Sequence, residues 1–372
     1  MDRKELTLNQ YMILLIIFVF SASLYGNIGR ESGVDLWIVN LFGVLMGLLF
    51  ITLHCRIGKL NNYDDFLTIL QNSFGRWIGK FLTVGFALFF LYRSMVIGHT
   101  LLGVVQHTIM QSAPPTLTVI IIIVVYAYGC IRGIKVIGRS VEIIMFILML
   151  LLLPFLFSSL LSGAFHSQTL QPILAEGVGI LRKDLFRVTF FPYGEVVVFL
   201  AYLSHLARKE QKGVWRASLV GILIASVLML AINITMFAIL GANMMKMVNY
   251  PFYTAMRFAT MHGLTERLDP LAVIVITYTS YFKGLLYFYA AMLLFKSVLP
   301  KVHYSWILGA MVVFRVIMAP YLTLQKIAAW EDTTIFYILP IFQLFIPFGI
   351  WIFSEINYKK SKEQKNIQTN RG

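Results

Sequence analysis

Long apolar runs separated by short charged stretches dominate the pattern along this chain. A helix needs about 20 predominantly apolar residues to cross the hydrocarbon core of a bilayer. The runs therefore predict ten membrane-spanning helices, which we number as spans 1 to 10: 8–29, 35–55, 81–107, 115–131, 141–163, 186–206, 217–241, 270–297, 303–322 and 333–356. The first run carries no charge and exceeds the apolar core of a signal peptide, about 7–15 residues. We interpret it as a span.

Two of the connecting segments have the amphipathic spacing of helices that lie along a membrane surface. One covers 63–74, and the other lies within 242–269 and contains the sequence Tyr250-Pro251-Phe252. The chain ends in a polar, charged stretch, which predicts a disordered basic tail over 359–372. The expected organisation is a ten-helix transmembrane domain over 1–358 followed by that tail.

The lysines and arginines between the spans are distributed unevenly. When the N-terminus is placed inside, most of them fall in inside segments, including the clusters in 56–80, 208–216 and 359–371. Inside segments of membrane proteins carry such an excess. The distribution predicts that both termini are cytoplasmic. We therefore interpret the net charge of +14 as an orientation signal rather than a nucleic-acid-binding surface.

Composition agrees with a membrane protein and excludes a soluble domain. Hydrophobic residues make up 59% of the chain and charged residues 13%, with a mean hydropathy of +0.78, whereas soluble domains carry about 25% charged residues. Cys55 and Cys130 show neither metal-ligand spacing nor a disulfide framework. The chain has no P-loop, zinc-ligand spacing or Ser/His/Asp set, so we expect no enzyme activity, cofactor or metal.

Two spans contain interruptions. Span 1 carries the small residues Ser21-Ala22-Ser23 at mid-depth, and span 6 reads Phe191-Pro192-Tyr193-Gly194-Glu195. Proline removes a backbone donor and clashes with the preceding turn. Open backbone at membrane depth lines a cavity or is buried in protein. Spans 1 and 6 are equivalent if ten helices form two five-helix repeats, and such paired breaks indicate a midplane binding site. For either break alone, a packing kink is the alternative.

Short motifs spread over nearly the whole chain carry a family resemblance. They are Leu8-Asn9-Gln10-Tyr11, Gly75-Arg76-Trp77-Ile78-Gly79-Lys80, Val136-Ile137-Gly138-Arg139-Ser140-Val141-Glu142-Ile143, Phe191-Pro192-Tyr193-Gly194-Glu195, Tyr250-Pro251 and Glu266-Arg267-Leu268-Asp269. In their order and spacing the chain resembles the B subunit of bacterial spore germinant receptors, within the amino acid–polyamine–organocation transporter superfamily. It departs from the family pattern in span 1, where no proline follows the small residues.

The resemblance implies a fold and a function. The fold is an all-α integral membrane protein of ten transmembrane helices, a LeuT-like five-plus-five inverted repeat with broken helices 1 and 6. The function is that of a nutrient-sensing subunit in the spore inner membrane, assembled with A and C subunits. It would bind a small molecule such as an amino acid between helices 1, 3, 6 and 8. The alternatives are an amino acid/proton secondary transporter and a gated ion- or water-conducting subunit.

Charged residues inside the spans are the strongest candidates for a site. A charge near the bilayer centre costs about 2.5–3.5 kcal/mol on insertion scales and indicates a functional site. Glu195 follows the break in span 6, Arg93 lies in the middle of span 3, and Lys283 lies in the middle of span 8. Glu195 can bind a ligand amine or cation, or it can form a structural ion pair with Lys283 or Arg93. Both roles remain open.

The superfamily resemblance extends the candidate list to the helices that enclose the site. It adds small residues at the breaks and tyrosines as wall residues, although bundle packing is the alternative for each tyrosine. The complete set of predicted ligand-binding residues is Ser21, Ser23, Tyr92, Arg93, Tyr193, Gly194, Glu195, Tyr281, Lys283 and Tyr287.

Overall fold

The computed structural model of the protein describes residues 5–25, 29, 31–161, 166, 174, 177–260, 269–322 and 324–369. These residues are helical apart from their connections, and one isolated β-bridge joins Leu6 to Leu206. The predicted all-α class is confirmed for this part of the chain. The motif stretch 266–268 lies outside the described residues.

Thirteen α-helices follow one another in the described part of the chain. Their bounds are α1 Leu8–Phe20, α2 Leu36–Leu60, α3 Phe66–Phe74, α4 Arg76–Thr108, α5 Pro115–Arg132, α6 Ile134–Leu161, α7 Leu181–Phe190, α8 Val214–Met247, α9 Pro251–Thr260, α10 Asp269–Val298, α11 Tyr304–Met318, α12 Leu324–Thr333 and α13 Ile346–Thr369.

Most of the predicted spans correspond to long apolar helices. Among the described residues, 7 helical segments are long and apolar enough to cross a membrane, and they correspond to spans 2, 3, 4, 5, 7, 8 and 10. Two shorter apolar helices, Leu8–Leu24 and Tyr304–Met318, correspond to spans 1 and 9. Span 6 is divided between α7 and a 3-10 helix, Tyr193–Ala201. A total of ten crossings remains the prediction from sequence.

Both predicted helix breaks are present. In span 1, α1 ends at Phe20 and a 3-10 helix, Ser21–Tyr25, follows. In span 6, α7 ends at Phe190, the chain becomes extended at Phe191, and a cis peptide bond joins Phe191 to Pro192 before the 3-10 helix begins. The breaks therefore lie where small residues and proline predict them.

The long helices differ in how far the protein encloses them. The most apolar window of α10 is 72% buried and that of α4 is 67% buried, whereas the value for α6 is 28%. Large apolar side chains on α6 face outward, among them Phe146, which is 73% exposed. Because a bilayer would cover such side chains, α4 and α10 form the centre of the bundle and α6 its periphery.

The connections agree with the predicted surface helices. α3 and α9 lie within the two amphipathic segments. Gly75 joins α3 to α4 with a φ of 85°, a conformation that glycine adopts without steric cost. α13 continues through Thr369, past the point at which the sequence predicts a disordered tail. The division of the chain at residue 358 remains a prediction.

Candidate functional site

Three charged side chains from three predicted spans meet in the bundle. Arg93 on α4, Glu195 in the 3-10 helix of span 6 and Lys283 on α10 form a group that we call the core triad. Glu195 Oε1 accepts hydrogen bonds from both Nε (3.0 Å) and Nη2 of Arg93. Glu195 Oε2 lies 2.6 Å from Lys283 Nζ. The single carboxylate therefore pairs with both cations.

The core triad is sealed from solvent. Glu195 and Lys283 are each 0% exposed, and Arg93 is 4% exposed. Charges removed from water need partners, because an unpaired buried charge costs several kcal/mol. One carboxylate and two cations leave a formal surplus of one positive charge. The contacts link spans 3, 6 and 8, as the structural ion-pair hypothesis expects, and the mostly buried carboxyl of Glu331 on α12 also interacts electrostatically with Arg93.

Aromatic rings from both helix breaks cover the cations of the core triad. Lys283 Nζ lies 4.6 Å from the ring centroid of Phe191 and 5.0 Å from that of Phe18. Arg93 Cζ lies 5.7 Å from the centroid of Phe191. A cation over a ring face is attracted by the ring quadrupole. Neither phenylalanine was among the predicted site residues, although each lies beside a predicted break.

Of the four tyrosines predicted to line the ligand site, Tyr287 is the one that lies beside the core triad. Its side chain is fully buried and packs against Phe18 and Phe90, with ring centroids 5.2 and 5.9 Å apart. The hydroxyl interacts electrostatically with Glu195 and Arg93 but does not meet hydrogen-bond geometry with any described group. It is a buried polar group at the edge of the core triad.

The other three tyrosines make their contacts elsewhere. The hydroxyl of Tyr193 lies 2.8 Å from Ser226 Oγ, and its ring packs where side chains on Gly43 and Gly47 of α2 would stand. Tyr92 bonds Thr334 Oγ1 across 3.1 Å. The ring of Tyr281 is tilted by 40° against that of Tyr126, with the centroids 5.8 Å apart. Tyr281 also lines a separate cavity of about 540 Å³ between α4, α5, α6 and α10. These contacts are those of bundle packing.

The small residues at the breaks also differ in their surroundings. The hydroxyls of Ser21 and Ser23 donate to the carbonyls of Phe18 and Phe20, at 2.9 and 2.8 Å. Gly194 faces a side chain that the sequence did not single out, since a Cβ at this position would collide with the amide of Gln343. The absence of a side chain at Gly194 therefore leaves room for the Gln343 amide beside the break in span 6.

A further buried cation, Arg315 on α11, lies apart from the core triad. It is 1% exposed and donates to Ser94, from Nη1 to Oγ at 2.8 Å and from Nη2 to the carbonyl at 3.1 Å. Its guanidinium lies 4.8 Å from the ring centroid of Tyr126. These contacts hold α11 against α4 and α5.

A second group of charges lies at the end of the bundle where span 1 ends, opposite the start of α1. This end cluster contains Glu31, Lys183, Asp184, Arg187 and Asp332. Arg187 reaches Glu31 at 2.8 Å and Asp332 at 2.5 Å, and Lys183 reaches Glu31 at 3.0 Å. The Asp184 carboxylate accepts from the backbone N–H of Glu31 and from both donors of Ser32, at 2.7–3.0 Å. The cluster ties the segment after span 1 to α7 and α12.

Solved structures share this architecture. The transporter MhsT in complex with L-phenylalanine matches with a TM-score of 0.62 and 16% identity, over 91% of this chain and 87% of its own. Mhp1, a nucleobase-cation-symport-1 family transporter in a closed conformation with bromovinylhydantoin bound, matches with a TM-score of 0.60 and 14% identity, over 85% and 72%. At these identities the likeness establishes the fold, which is the LeuT-like transporter fold.

Sequence comparison identifies the family. Spore germination protein KB of Bacillus subtilis (strain 168) is 25% identical over 382 aligned residues, covering 98% of each chain. The family model described as spore germination protein matches residues 5–327. Together with the transporter fold, these matches make the chain a germinant-sensing or transporter-like multi-pass membrane protein, and it belongs to the spore germination protein family.

Proposed function

We propose that this chain is the nutrient-sensing membrane subunit of a spore germination receptor. It binds a small molecule such as an amino acid beside the break in span 6, between helices 1, 3, 6 and 8. The observation that carries the proposal is the core triad, because one buried carboxylate at a break in span 6 joins cations from spans 3 and 8. A ligand that disturbs these contacts changes how three helices are held together.

The proposed site has a two-state character. In the structure, the core triad is closed and covered by the rings of Phe18 and Phe191. A ligand can shift a conformational equilibrium only through a difference in affinity between two states. An ammonium group that binds Glu195, or a carboxylate that binds the surplus cation, would favour a state in which the triad has opened. That change is the signal passed to the rest of the receptor.

The proposed assembly includes A and C subunits in the spore inner membrane, with both termini of this chain in the cytoplasm. The family match and the uneven distribution of basic residues support these assignments. A cysteine-labelling experiment tests the orientation: a single cysteine placed at Lys359 should react with a membrane-impermeant reagent only after the membrane is opened. Labelling in sealed right-side-out vesicles would contradict it.

The decisive test uses spores that lack all other receptors and express this chain with its A and C partners. Germination against a panel of amino acids should require the chain and should be lost or strongly reduced in the Glu195→Gln variant, with Glu355→Gln as the matched control. Glu355 pairs with Arg56 in a partly exposed position. A nutrient response that persists without the chain would refute the proposal.

Secondary transport and gated ion or water conduction use the same fold and are tested directly. Purified chain in liposomes would take up labelled amino acid if it were a transporter, and would accelerate osmotic water flux or ion flux if it were a conducting subunit. Glu195 pairs with two cations, which favour its charged form and therefore oppose the protonation that proton-coupled transport through this carboxylate would need. We therefore expect no proton-coupled uptake by the chain alone.

A further inference from the structure

Gln343 is a buried polar side chain whose amide takes no part in the ion pairs and hydrogen bonds described above. It lies in span 10 within a π-helical segment, Ile341–Phe345, and is 0% exposed. Neither its amide nitrogen nor its amide oxygen has a hydrogen-bond partner among the described residues. An amide buried without partners costs free energy, so this side chain requires a reason to be there.

The surroundings of Gln343 place it against the break in span 6. A Cβ at Gly194 would lie 3.2 Å from Gln343 Cδ and closer still to Oε1, and 3.1 Å from the carbonyl oxygen of Thr189. The absent side chain of Gly194 is therefore what allows the amide to reach the broken backbone. Gly194 precedes Glu195, so the amide lies one residue along the chain from the core triad.

The helix around Gln343 is shaped to hold it there. A π-helical turn contains an extra residue, and such turns occur mainly as short segments, frequently at functional sites. The neighbouring Phe342 is anchored on α4, stacking on Phe89 with ring centroids 4.6 Å apart and meeting Phe86 edge-on at 5.1 Å. This anchor fixes the register of span 10 and directs the next side chain toward span 6.

The backbone opposite Gln343 supplies donors of its own. The 3-10 helix Tyr193–Ala201 begins beside it, and no side chain caps that helix. The first N–H groups of a helix lack acceptors within it. Around Gly194 there are thus a helix N-terminus, an amide donor and an amide acceptor, next to the core triad.

We propose that Gln343 is a ligand-recognition residue, which hydrogen-bonds the small molecule sensed at the break in span 6. This inference rests on the proposed function and extends its site to span 10. Satisfying both amide atoms requires a ligand that presents an acceptor and a donor side by side. An α-amino acid does so with its carboxylate and ammonium groups, and a carboxamide does so with its oxygen and nitrogen.

The test replaces Gln343 with leucine in spores that depend on this receptor. Loss of two hydrogen bonds to the ligand should raise the amino acid concentration for half-maximal germination about tenfold. The matched control is Gln111→Leu, which removes an exposed amide and should leave the response unchanged. Where the leucine variant fails to accumulate by immunoblot, Gln343→Met removes the amide and keeps the length. An unchanged concentration dependence would overturn the inference.

A stability measurement separates recognition from a structural role. Because the amide has no partner in the protein, purified Gln343→Leu without ligand should melt at the same temperature as the wild-type chain or above it. A structural role requires a lower melting temperature. Added amino acid should raise the melting temperature of the wild type more than that of the variant at the same concentration. An equal rise in both, or no rise in the wild type, would overturn the inference.

The nutrient panel separates the two ligand chemistries and the two proposals. Equal shifts for alanine and asparagine indicate that Gln343 binds the amino-acid backbone, and a shift confined to asparagine and glutamine indicates a side-chain carboxamide. Either result supports the inference. A nutrient response that persists after the chain is deleted refutes the proposed function, and the melting experiment then decides the role of Gln343 alone.

Discussion

The core triad and the end cluster use the same chemistry in different surroundings. The core triad pairs one carboxylate with two cations, and its side chains are 0–5% exposed. The end cluster pairs three carboxylates with two cations, and its side chains are 21–52% exposed except for the buried Asp184. The formal surplus is one positive charge in the first and one negative charge in the second.

The contrast separates two ways in which ion pairs act. Exposed pairs contribute about 0–1 kcal/mol, because water screens them and ordering the side chains costs entropy. Removing one partner from a buried pair costs about 3–5 kcal/mol, because it leaves an uncompensated charge. The contribution of the core triad to stability should therefore depend on its charge balance. The contribution of the end cluster should depend mainly on the hydrogen bonds of Asp184.

The largest expected effect is that of Glu195→Gln. It leaves Arg93 and Lys283 buried without an anion, so the free energy of unfolding should fall by about 3–5 kcal/mol. Arg93→Met and Lys283→Met should each cost less, since either substitution leaves one balanced pair. Thermal unfolding of the purified variants in detergent gives the order.

The exposed pair of Arg56 and Glu355, at 2.7 Å, provides the control. Glu355→Gln makes the same chemical change in water and should cost at most about 1 kcal/mol. If Glu195→Gln were no more harmful than Glu355→Gln, or less harmful than Lys283→Met, charge balance would not be what holds the core triad together.

The long apolar helices and the two breaks are predicted well from sequence, because their signals are local. Apolar length specifies a membrane helix whatever surrounds it, and proline interrupts a helix by removing a donor and clashing within one turn. Thus span 6 breaks at Phe191-Pro192 as expected. The sequence does not decide whether Glu195 pairs with Arg93 or with Lys283, because contacts between spans depend on packing that no local pattern contains. In the structure Glu195 pairs with both.

The direction of side chains at the breaks cannot be predicted from the sequence. Helical periodicity assigns faces only where the backbone is a regular helix. Tyr193 lies in the break, and it turns toward Ser226 and α2 rather than the core triad. Gln343 is missed because a single glutamine in an apolar span carries no signal of its own. Its position beside Gly194 becomes apparent only when spans 6 and 10 are brought together.

In the end cluster, the largest effect should come from Asp184→Ala. The buried carboxylate accepts from Glu31 N and from both donors of Ser32, and its loss leaves buried donors unsatisfied. Such a loss costs about 1–3 kcal/mol, which is less than the cost of Glu195→Gln. Asp64→Ala, at an exposed position, is the control. If Asp184→Ala had an effect as small as that of the control, the ion pairs rather than the hydrogen bonds of Asp184 would stabilise this end of the bundle.

Arg187→Gln should have a smaller effect, although Arg187 contacts Glu31 and Asp332 and lies 3.8 Å from the buried Asp184. Asp184 keeps its hydrogen bonds to Glu31 and Ser32 in this variant. The Arg187 partners Glu31 and Asp332 are 42% and 52% exposed, so the loss should be at most about 1 kcal/mol. The effect should shrink further in 1 M salt, which reduces the Debye length to about 3 Å. A loss above 2 kcal/mol that salt does not alter would mean that this pair behaves like a buried one.

The smallest effect concerns pH and is tested at Glu31. Partial burial would raise its pKa, but Lys183 and Arg187 outweigh burial and hold the pKa of the Glu31 carboxyl below its usual value of 4.5. A lowered pKa in the folded state stabilises the fold above the unfolded value, and the contribution is lost as pH falls through the folded value. The wild type should thus melt slightly above Glu31→Gln at pH 7, and the difference should disappear as the pH falls below about 4.5. A difference that persisted there would come from packing rather than charge, and the two clusters would then differ less than their exposure implies.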